Sequence, residues 1–134
     1  MELHDPLLYA PSGKDDEAVL LTLRDPATGA LAFPRTPYGI GATGTPTEAA
    51  EAAALSGRGK VLTCISVHQP LSPGMVTPLV VARLQMEEGV VLDGILEGTA
   101  EAAPGTKVRA VLVPEERHGV TALACRFRVA EDLV

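Results

Sequence analysis

The chain has 134 residues, of which 46% are hydrophobic and 21% charged, a size and composition typical of one globular domain with room for a small appendage. A net charge of −6 argues against a general nucleic-acid binder, because binding phosphates by counterion release requires a basic surface. Two tyrosines and two phenylalanines provide few stacking platforms for single strands. No apolar run approaches the ~20 residues that span a bilayer. We therefore expect neither a nucleic acid nor a membrane as partner.

The N-terminal segment, residues 1–17, is predicted to be flexible. It begins Met1-Glu-Leu-His-Asp-Pro and lacks the basic and apolar regions of a signal peptide. Cys64 and Cys125 both lie in strand-like runs, and we expect free thiols rather than a disulfide, since disulfides are rare in the cytosol. The sequence therefore predicts a cytoplasmic protein.

Residues 18–45 form a predicted appendage built from two glycine-containing turns. Ala18–Phe33 has the pattern of a hairpin whose turn is Asp25-Pro-Ala-Thr-Gly29, and Tyr38-Gly-Ile-Gly41 forms a second turn. Two such turns are the skeleton of a zinc ribbon, in which each turn supplies a Cys-x-x-Cys pair. We therefore predict a small ribbon-like hairpin unit.

Conflicting signals precede the next part of the chain. Thr45-Pro46-Thr47-Glu48 is a capping box with proline at the first helical position, and an alanine-rich run follows it. Because alanine is the best helix former, we predict a short helix over residues 46–54. An extended lead-in to the strand that follows is the alternative.

Residues 46–134 are predicted to form an OB-type barrel. Five segments alternate apolar and polar residues and are separated by turn residues, as expected for an antiparallel sheet that curls on itself. A β-sandwich is the alternative, but it usually needs about seven strands, so the fold class is all-β with a five-stranded OB-type barrel. The predicted strands are Val61–His68, Pro78–Met86, Val90–Leu96, Lys107–Val113 and Ala122–Val129.

The alternation also predicts which side chains share a face. In the first strand, Val61, Thr63, Ile65 and Val67 lie on one face. For the other four strands, the inward side chains are predicted to be Val80, Ala82, Leu84 and Met86, then Val90, Leu92 and Leu96, then Val108, Ala110 and Leu112, and finally Leu123, Cys125, Phe127 and Val129.

Local signals predict the breaks and connections of the barrel. Gly94 lies inside a strand and predicts a bulge or tight bend. Residues 69–77 contain Pro70, Pro73 and Gly74 and are expected to form a mobile surface loop. The run Ala100–Ala103 predicts one helical turn, and Glu115–Gly119 predicts a polar hairpin loop.

Several stretches, in order and spacing, resemble the zinc-ribbon/OB-fold proteins associated with acyl-CoA enzymes, a family long described as a domain of unknown function. They are Phe33-Pro34-Arg35, Ser56-Gly-Arg-Gly-Lys-Val61, Pro78–Leu84 followed by Glu88-Gly89, and Pro104-Gly-Thr-Lys-Val-Arg109. The resemblance covers roughly residues 20–130. It implies ribbon cysteines near positions 25, 28, 38 and 41, where this chain has none. Without cysteine ligands we predict that no zinc is bound.

The resemblance implies an auxiliary subunit without independent catalysis. Members of this family are small partner subunits or fused domains of thiolases, thiolase-like aldolases and enoyl-CoA hydratases. By that similarity, the chain joins a hetero-oligomer, stabilises its partner and helps to form the acyl-CoA site. Chemistry on the CoA thioester then takes place on the partner, and no cofactor is held covalently by this chain.

Seven residues are candidates for contacting CoA or the partner. Arg35, Arg58 and Lys60 lie in or beside glycine- or proline-rich loops, where cations meet phosphate groups. Arg126 and Arg128 alternate on one strand and, with Lys107 and Arg109, predict a basic docking stripe. Ordinary solvated charges are the alternative in every case. The full set is Phe33, Arg35, Arg58, Lys60, His68, Arg126 and Arg128.

Two other functions are weighed against this one. A barrel alone is compatible with a free-standing OB-fold module for single-stranded nucleic acid or oligosaccharide. An independent acyl-CoA hydrolase or transferase would need a nucleophile with its base. Cys64 and His68 would be roughly 13 Å apart along one strand, too far to form such a pair. The sequence contains no Gly-x-Ser-x-Gly motif and no phosphate-binding glycine loop.

Overall fold

The computed structural model describes residues 2–24, 26–29, 31–32, 51–69, 78–98 and 100–130. In these residues the secondary structure is β-strand and turn, and they contain no helix of the length and hydrophobicity needed to cross a bilayer. The strands are β1 (Tyr9–Pro11), β2 (Ala18–Arg24), β3 (Leu31–Ala32), β4 (Glu51–Leu55), β5 (Arg58–Val67), β6 (Leu79–Met86), β7 (Val91–Leu96), β8 (Lys107–Arg117) and β9 (Val120–Val129).

Strands β5 to β9 form a closed barrel in the order β5-β6-β7-β9-β8. Neighbouring strands are antiparallel except β7 and β9, which meet in parallel at Leu96 and Phe127. This confirms the predicted all-β class and five-stranded OB-type barrel. The buried side chains include most of the predicted inward set, among them Val80, Ala82, Leu84, Met86, Leu92, Leu96, Val108, Ala110, Leu112 and Phe127.

The predicted face of the first barrel strand is wrong beyond Val61. The pairing of β5 with β6 shifts by one residue between Val61 and Thr63, as in a β-bulge. A one-residue shift exchanges the two faces of a strand. Val61 is therefore buried, whereas Ile65 is 62% exposed and Cys64 packs against the core instead. At the end of β9, Val129 is also exposed rather than inward.

Gly94 does not form the predicted bulge. The pairing of β6 with β7 is regular from Val80 to Gln85, with Gly94 opposite Ala82. Glycine is needed because the Phe127 ring lies across this position, and a Cβ on residue 94 would come within 2.5 Å of two ring atoms. The missing side chain thus makes room for the aromatic residue that closes the barrel between β7 and β9.

Two predicted connections also differ. Residues 100–103 contain no helical turn. The Cys64 Sγ donates to the carbonyl of Ala102 in this loop, which crosses over β5. The predicted five-residue loop Glu115–Gly119 is a tight turn of His118 and Gly119, both with positive φ, because β8 continues to Arg117. Two left-handed residues match the twist of paired strands, so the hairpin stays paired to its end.

A smaller sheet packs beside the barrel with β2 at its centre. β1 and β3 pair with one edge of β2, and β4 pairs with the other. The pairing of β2 with β3 confirms the predicted hairpin in the described part of the appendage.

The helix predicted over residues 46–54 is wrong for the described residues, since Glu51–Leu55 is β4; residues 46–50 lie outside the described ranges. Five residues of β4 pair with β2, and Leu55, opposite Leu20, is buried. Alanine's helix preference amounts to less than about 1 kcal/mol per residue, so pairing and burial outweigh it.

The N-terminal segment, predicted to be flexible, lies against the barrel. The Leu123 backbone receives hydrogen bonds from His4 N and from the buried Tyr9 hydroxyl. Asp16 and Glu17 continue this attachment through backbone contacts to Leu112 and Val111. The division into 1–17, 18–45 and 46–134 remains a prediction, and these contacts and the β2–β4 pairing cross its boundaries.

Some predictions concern residues outside the described ranges. They are Phe33 and Arg35, the second turn at 38–41, and the proline-containing loop at 70–77. The ribbon-like character of the appendage therefore also remains a prediction.

Candidate functional site

A cleft of about 1160 Å³ opens at the side of the barrel where β5, β8 and β9 are adjacent. We call it the basic cleft because five cationic side chains line it. They are Arg58, Lys60, Lys107, Arg109 and Arg128. Three of the seven predicted site residues, Arg58, Lys60 and Arg128, are thus brought together with two cations of the predicted stripe.

Strand register explains why these cations meet. Arg58 lies opposite Arg109, and Arg109 lies opposite Arg128, so one arginine from each of β5, β8 and β9 forms a line that we call the arginine row. Two residues further along the same pair of strands, β5 and β8, Lys60 lies opposite Lys107. Like charges directly opposite each other cost roughly 0.2–1 kcal/mol in a sheet, so the row requires neutralising partners.

Carboxylates from two other parts of the chain neutralise the arginine row. Glu17 contacts Arg58 at 3.2 Å and Arg109 at 3.4 Å. Asp16 contacts Arg109 at 3.4 Å and Arg128 at 2.6 Å. Because Asp16 and Glu17 are adjacent and held to β8 by backbone contacts, their carboxylates are positioned before any ligand binds.

Glu97, just beyond β7, is the third carboxylate that neutralises the arginine row, and it contacts Arg128 at 2.8 Å. Hydrogen bonds from Arg128 are the main cause that lowers the pKa of Asp16 and that of Glu97 below their usual range. The same bonds raise the pKa of Arg128. Asp16, Glu97 and Arg128 therefore all stay charged at neutral pH.

These lowered pKa values predict an acid-dependent loss of stability. A carboxyl whose pKa is depressed by folding stabilises the fold above its unfolded pKa of about 4, and this contribution disappears as pH falls through the folded pKa. We expect Arg128→Gln to reduce the loss of unfolding free energy between pH 5 and pH 3, by at most about 1 kcal/mol for these half-exposed pairs. Urea unfolding of both proteins at pH 5 and pH 3 measures this difference in unfolding free energy.

Arg83→Gln is the matched control, because Arg83 forms an exposed ion pair with Asp93 on β7, outside the basic cleft. It should lose as much unfolding free energy on acidification as the unaltered chain. If Arg128→Gln behaves in the same way, the arginine row does not account for the acid sensitivity.

Arg126, predicted to share the stripe with Arg128, lies in a different network. It pairs with Glu115, which also binds Arg117 at 2.7 Å, and Arg117 reaches Asp5 at 3.1 Å. Burial raises the pKa of Glu115, but the hydrogen bonds from Arg117 and Arg126 outweigh it and leave the pKa lowered. Of the predicted stripe, Arg109 and Arg128 are therefore paired with carboxylates of the N-terminal segment and Arg126 with a carboxylate of β8.

Lys60 and Lys107 differ from the arginines of the row. Both are exposed, and in the described part of the chain neither forms an ion pair. Asp15 and Glu87 also line the cleft, but among the described residues no ion pair joins them to these lysines, whose ammonium groups therefore favour an anion between them. The cleft therefore has a neutralised side at the row and a cationic side at the lysines.

Of the remaining candidates that the structure describes, His68 and Arg126 do not line the basic cleft. His68 follows β5 at the end opposite Lys60, roughly 25 Å away by strand rise. Burial raises the pKa of the Cys125 thiol to about 11, which makes it a poor nucleophile. The described residues contain no group of three histidine, cysteine or acidic side chains arranged to hold a metal.

A second surface lies on the outside of strands β5, β6 and β7. Ile65 is opposite Val81, and Val81 is opposite Ile95, so three β-branched residues form a line that we call the apolar row. Ile65 is the most exposed of them, at 62%. This row was missed in the sequence because the bulge after Val61 turns Ile65 outward.

Comparison with known proteins identifies the barrel. A family profile described as the C-terminal OB-fold domain of ChsH2 matches residues 52–113. That range contains β5 to β7 and the start of β8, with Arg58, Lys60, Lys107 and Arg109. Residues 52–113, a little under half of the chain, are therefore similar to the C-terminal OB-fold domain of ChsH2.

Two related proteins extend the comparison. The alpha subunit of 3-oxo-4,17-pregnadiene-20-carboxyl-CoA hydratase from Mycobacterium tuberculosis is 42% identical over 60 residues. That match covers 43% of this chain but only 19% of the relative, so this chain corresponds to about a fifth of its length. The solved Ltp2-ChsH2(DUF35) aldolase contains a chain with a TM-score of 0.63 and 23% identity, covering 90% of this chain and 98% of that one. At this identity the second likeness concerns the fold.

Proposed function

We propose that this chain is a non-catalytic subunit of an acyl-CoA hydratase or aldolase, including thiolase-like aldolases, and helps to form the acyl-CoA site. The observation that carries the proposal is a ChsH2-type barrel that bears a cationic cleft on a chain of net charge −6. One relative is named as a subunit of a CoA-thioester hydratase, and another structure is named as an aldolase complex.

The basic cleft supplies the contacts to acyl-CoA in this proposal. Coenzyme A carries several phosphate groups, and Lys60, Lys107 and the half-exposed Arg58 are the cations best placed to meet them. The acyl group extends away from these phosphates towards the partner, which performs the chemistry. Cys64 and His68 could act as a nucleophile and its base only if they were close together. Four positions of extended chain separate them on and just after β5.

The apolar row supplies the contact to the partner subunit. A line of isoleucine, valine and isoleucine across three successive strands, with an exposed isoleucine at one end, resembles the apolar centre of an interface more than an ordinary polar sheet surface. The Arg83–Asp93 ion pair lies in the next line of the same face and provides a polar rim.

The test is complex formation after co-expression with a hydratase or aldolase subunit from the same genome. We expect Ile65→Asp to weaken the complex by about a hundredfold or more, because a carboxylate would be buried without a partner in the interface. Size-exclusion chromatography and titration calorimetry measure the effect.

Val120→Asp is the matched control. Val120 is 61% exposed, nearly the same as Ile65, but lies at the turn of the β8–β9 hairpin and not in the apolar row. It should leave the affinity unchanged. Equal loss of binding for both variants, or no loss for Ile65→Asp, would contradict the placement of the interface.

A further inference from the structure

Three acidic residues, Asp15, Glu17 and Glu87, line the basic cleft, and of these Glu17 pairs with the arginine row and competes with an anionic ligand for it. Glu17 lines the cleft and holds Arg58 at 3.2 Å and Arg109 at 3.4 Å. Its side chain is about one-quarter exposed, so it faces the cleft directly. A ligand anion that recruits Arg58 must take this guanidinium from Glu17 and must also tolerate the nearby negative charge.

We infer that Glu17 determines the ligand specificity of the cleft, restricting it to ligands with two adjacent phosphate groups. The inference deepens the proposed function and rests on it, because it concerns the same cleft. A single carboxylate gains too little to replace the contact between Arg58 and Glu17, and is left with the two lysines alone. A diphosphate carries enough charge to bind Lys60 and Lys107 together and to draw Arg58 away from Glu17.

The geometry of the row makes Arg58 the residue that moves. Its side chain is 50% exposed, compared with 26% for Arg109 and 34% for Arg128. In the described residues its one ionic contact is Glu17, whereas Arg109 is shared by two carboxylates and Arg128 is held by Asp16 and Glu97. When Arg58 turns to a ligand, Glu17 keeps its contact with Arg109 and no buried charge is left unpaired.

Arg58 also begins β5 directly after Gly57, two residues before Lys60 on the same strand. Residues at i and i+2 project from the same face of a strand, about 7 Å apart. The guanidinium and the two ammonium groups are therefore spaced to contact neighbouring phosphates of one ligand.

The experiment is a titration of the full chain with inorganic pyrophosphate, followed by calorimetry and by amide chemical shifts. Glu17→Gln keeps the size of the side chain and removes its charge, and we expect it to tighten pyrophosphate binding about fivefold, the effect of one unit charge near 4 Å in water. Lys60→Gln combined with Lys107→Gln should weaken binding more than tenfold. Acetate, tested in parallel, should bind the unaltered chain weakly and, with its single charge, gain less from Glu17→Gln than pyrophosphate does.

Asp93→Asn is the matched control, because it also removes a carboxylate from an arginine pair and changes the net charge equally, but outside the cleft. Equal tightening in both variants would show a general charge effect and overturn the inference. Undetectable pyrophosphate binding by the unaltered chain and by Glu17→Gln would also overturn it, as would equal affinity for acetate and pyrophosphate. Thermal melting shows that each variant is folded.

These outcomes are separate from those of the proposed function. The titration uses this chain alone, whereas the auxiliary role is measured on the complex. A chain that binds pyrophosphate as expected but forms no complex would contradict the proposed function and leave the role of Glu17 standing. If the complex forms normally but Glu17→Gln does not change pyrophosphate binding, the role of Glu17 is contradicted and the proposed function stands.

Discussion

Replacing Gly57 with alanine is expected to lower the free energy of unfolding by about 3 kcal/mol or more, combining backbone strain and steric overlap. Gly57 has φ of +81°, a conformation that costs an L-residue about 1–2 kcal/mol. A Cβ at this position would overlap the backbone oxygen of Ala18, which belongs to β2 and cannot rotate away. The Ala110 Cβ, at 3.1 Å, blocks movement on another side.

Gly57 has this effect because it joins the two sheets. It connects β4 of the small sheet to β5 of the barrel, and its carbonyl accepts a hydrogen bond from Ala110 of β8. Displacing it separates the N-terminal end of β2 from the barrel and shifts Arg58, the next residue in the chain. We therefore expect Gly57→Ala to disturb the basic cleft as well as stability.

Gly89→Ala is the control for that substitution. Gly89 has a similar φ of +94°, but no atom of the described residues lies within 4 Å of the position that an alanine Cβ would take. It should cost about 1 kcal/mol, the conformational part alone. Urea unfolding of both variants separates the two contributions, and equal losses would show that the contact between Gly57 and Ala18 is unimportant.

The barrel was predictable because its strands carry a pattern that depends on nearby residues only. From Ala82 to Met86 the buried residues alternate with Arg83 and Gln85, and this period specifies both the strand and its buried face. The period stops being informative where the register shifts. Nothing in the residues around Val61 reveals the bulge that exchanges the faces of β5, so the outward position of Ile65 was not predictable.

The prediction of a short helix over residues 46–54 is wrong, for the described residues, for a different reason. The capping box and alanine run before Leu55 describe a local preference, whereas β4 exists through pairing with Ala18–Arg24, about 30 residues earlier in the chain. Local helix propensity depends only on nearby residues and cannot predict pairing between distant segments. The extended alternative, which the family resemblance favoured, is the correct one for the described residues.

The candidate site was predicted in part. Arg58, Lys60 and Arg128 stood out because they lie near glycines or alternate along a strand, but only the register places them around one cleft. Asp16 and Glu17 were overlooked because they lie in a segment expected to be flexible. The sequence signal for them was the acidic run Asp15-Asp16-Glu17 directly before a strand. An acidic run in a chain that also has a predicted basic stripe indicates that the two can form ion pairs.

The second large effect is expected on catalysis by the partner enzyme. If this chain completes the acyl-CoA site, the neighbouring hydratase or aldolase should have little activity alone and gain it when the chain is added. We expect at least about a tenfold difference in turnover, because a substrate held without its phosphate contacts loses binding energy that positions the reacting atoms. Added at the same concentration, Ile65→Asp should restore little of this activity and Val120→Asp should restore all of it.

The most direct measurement is therefore turnover of a CoA thioester by the purified partner, with and without stoichiometric amounts of this chain. The proposal predicts a rise that saturates at a fixed ratio of the two subunits and coincides with formation of their complex. A partner that is fully active and homogeneous by itself, with no change on adding the chain, would contradict the proposal.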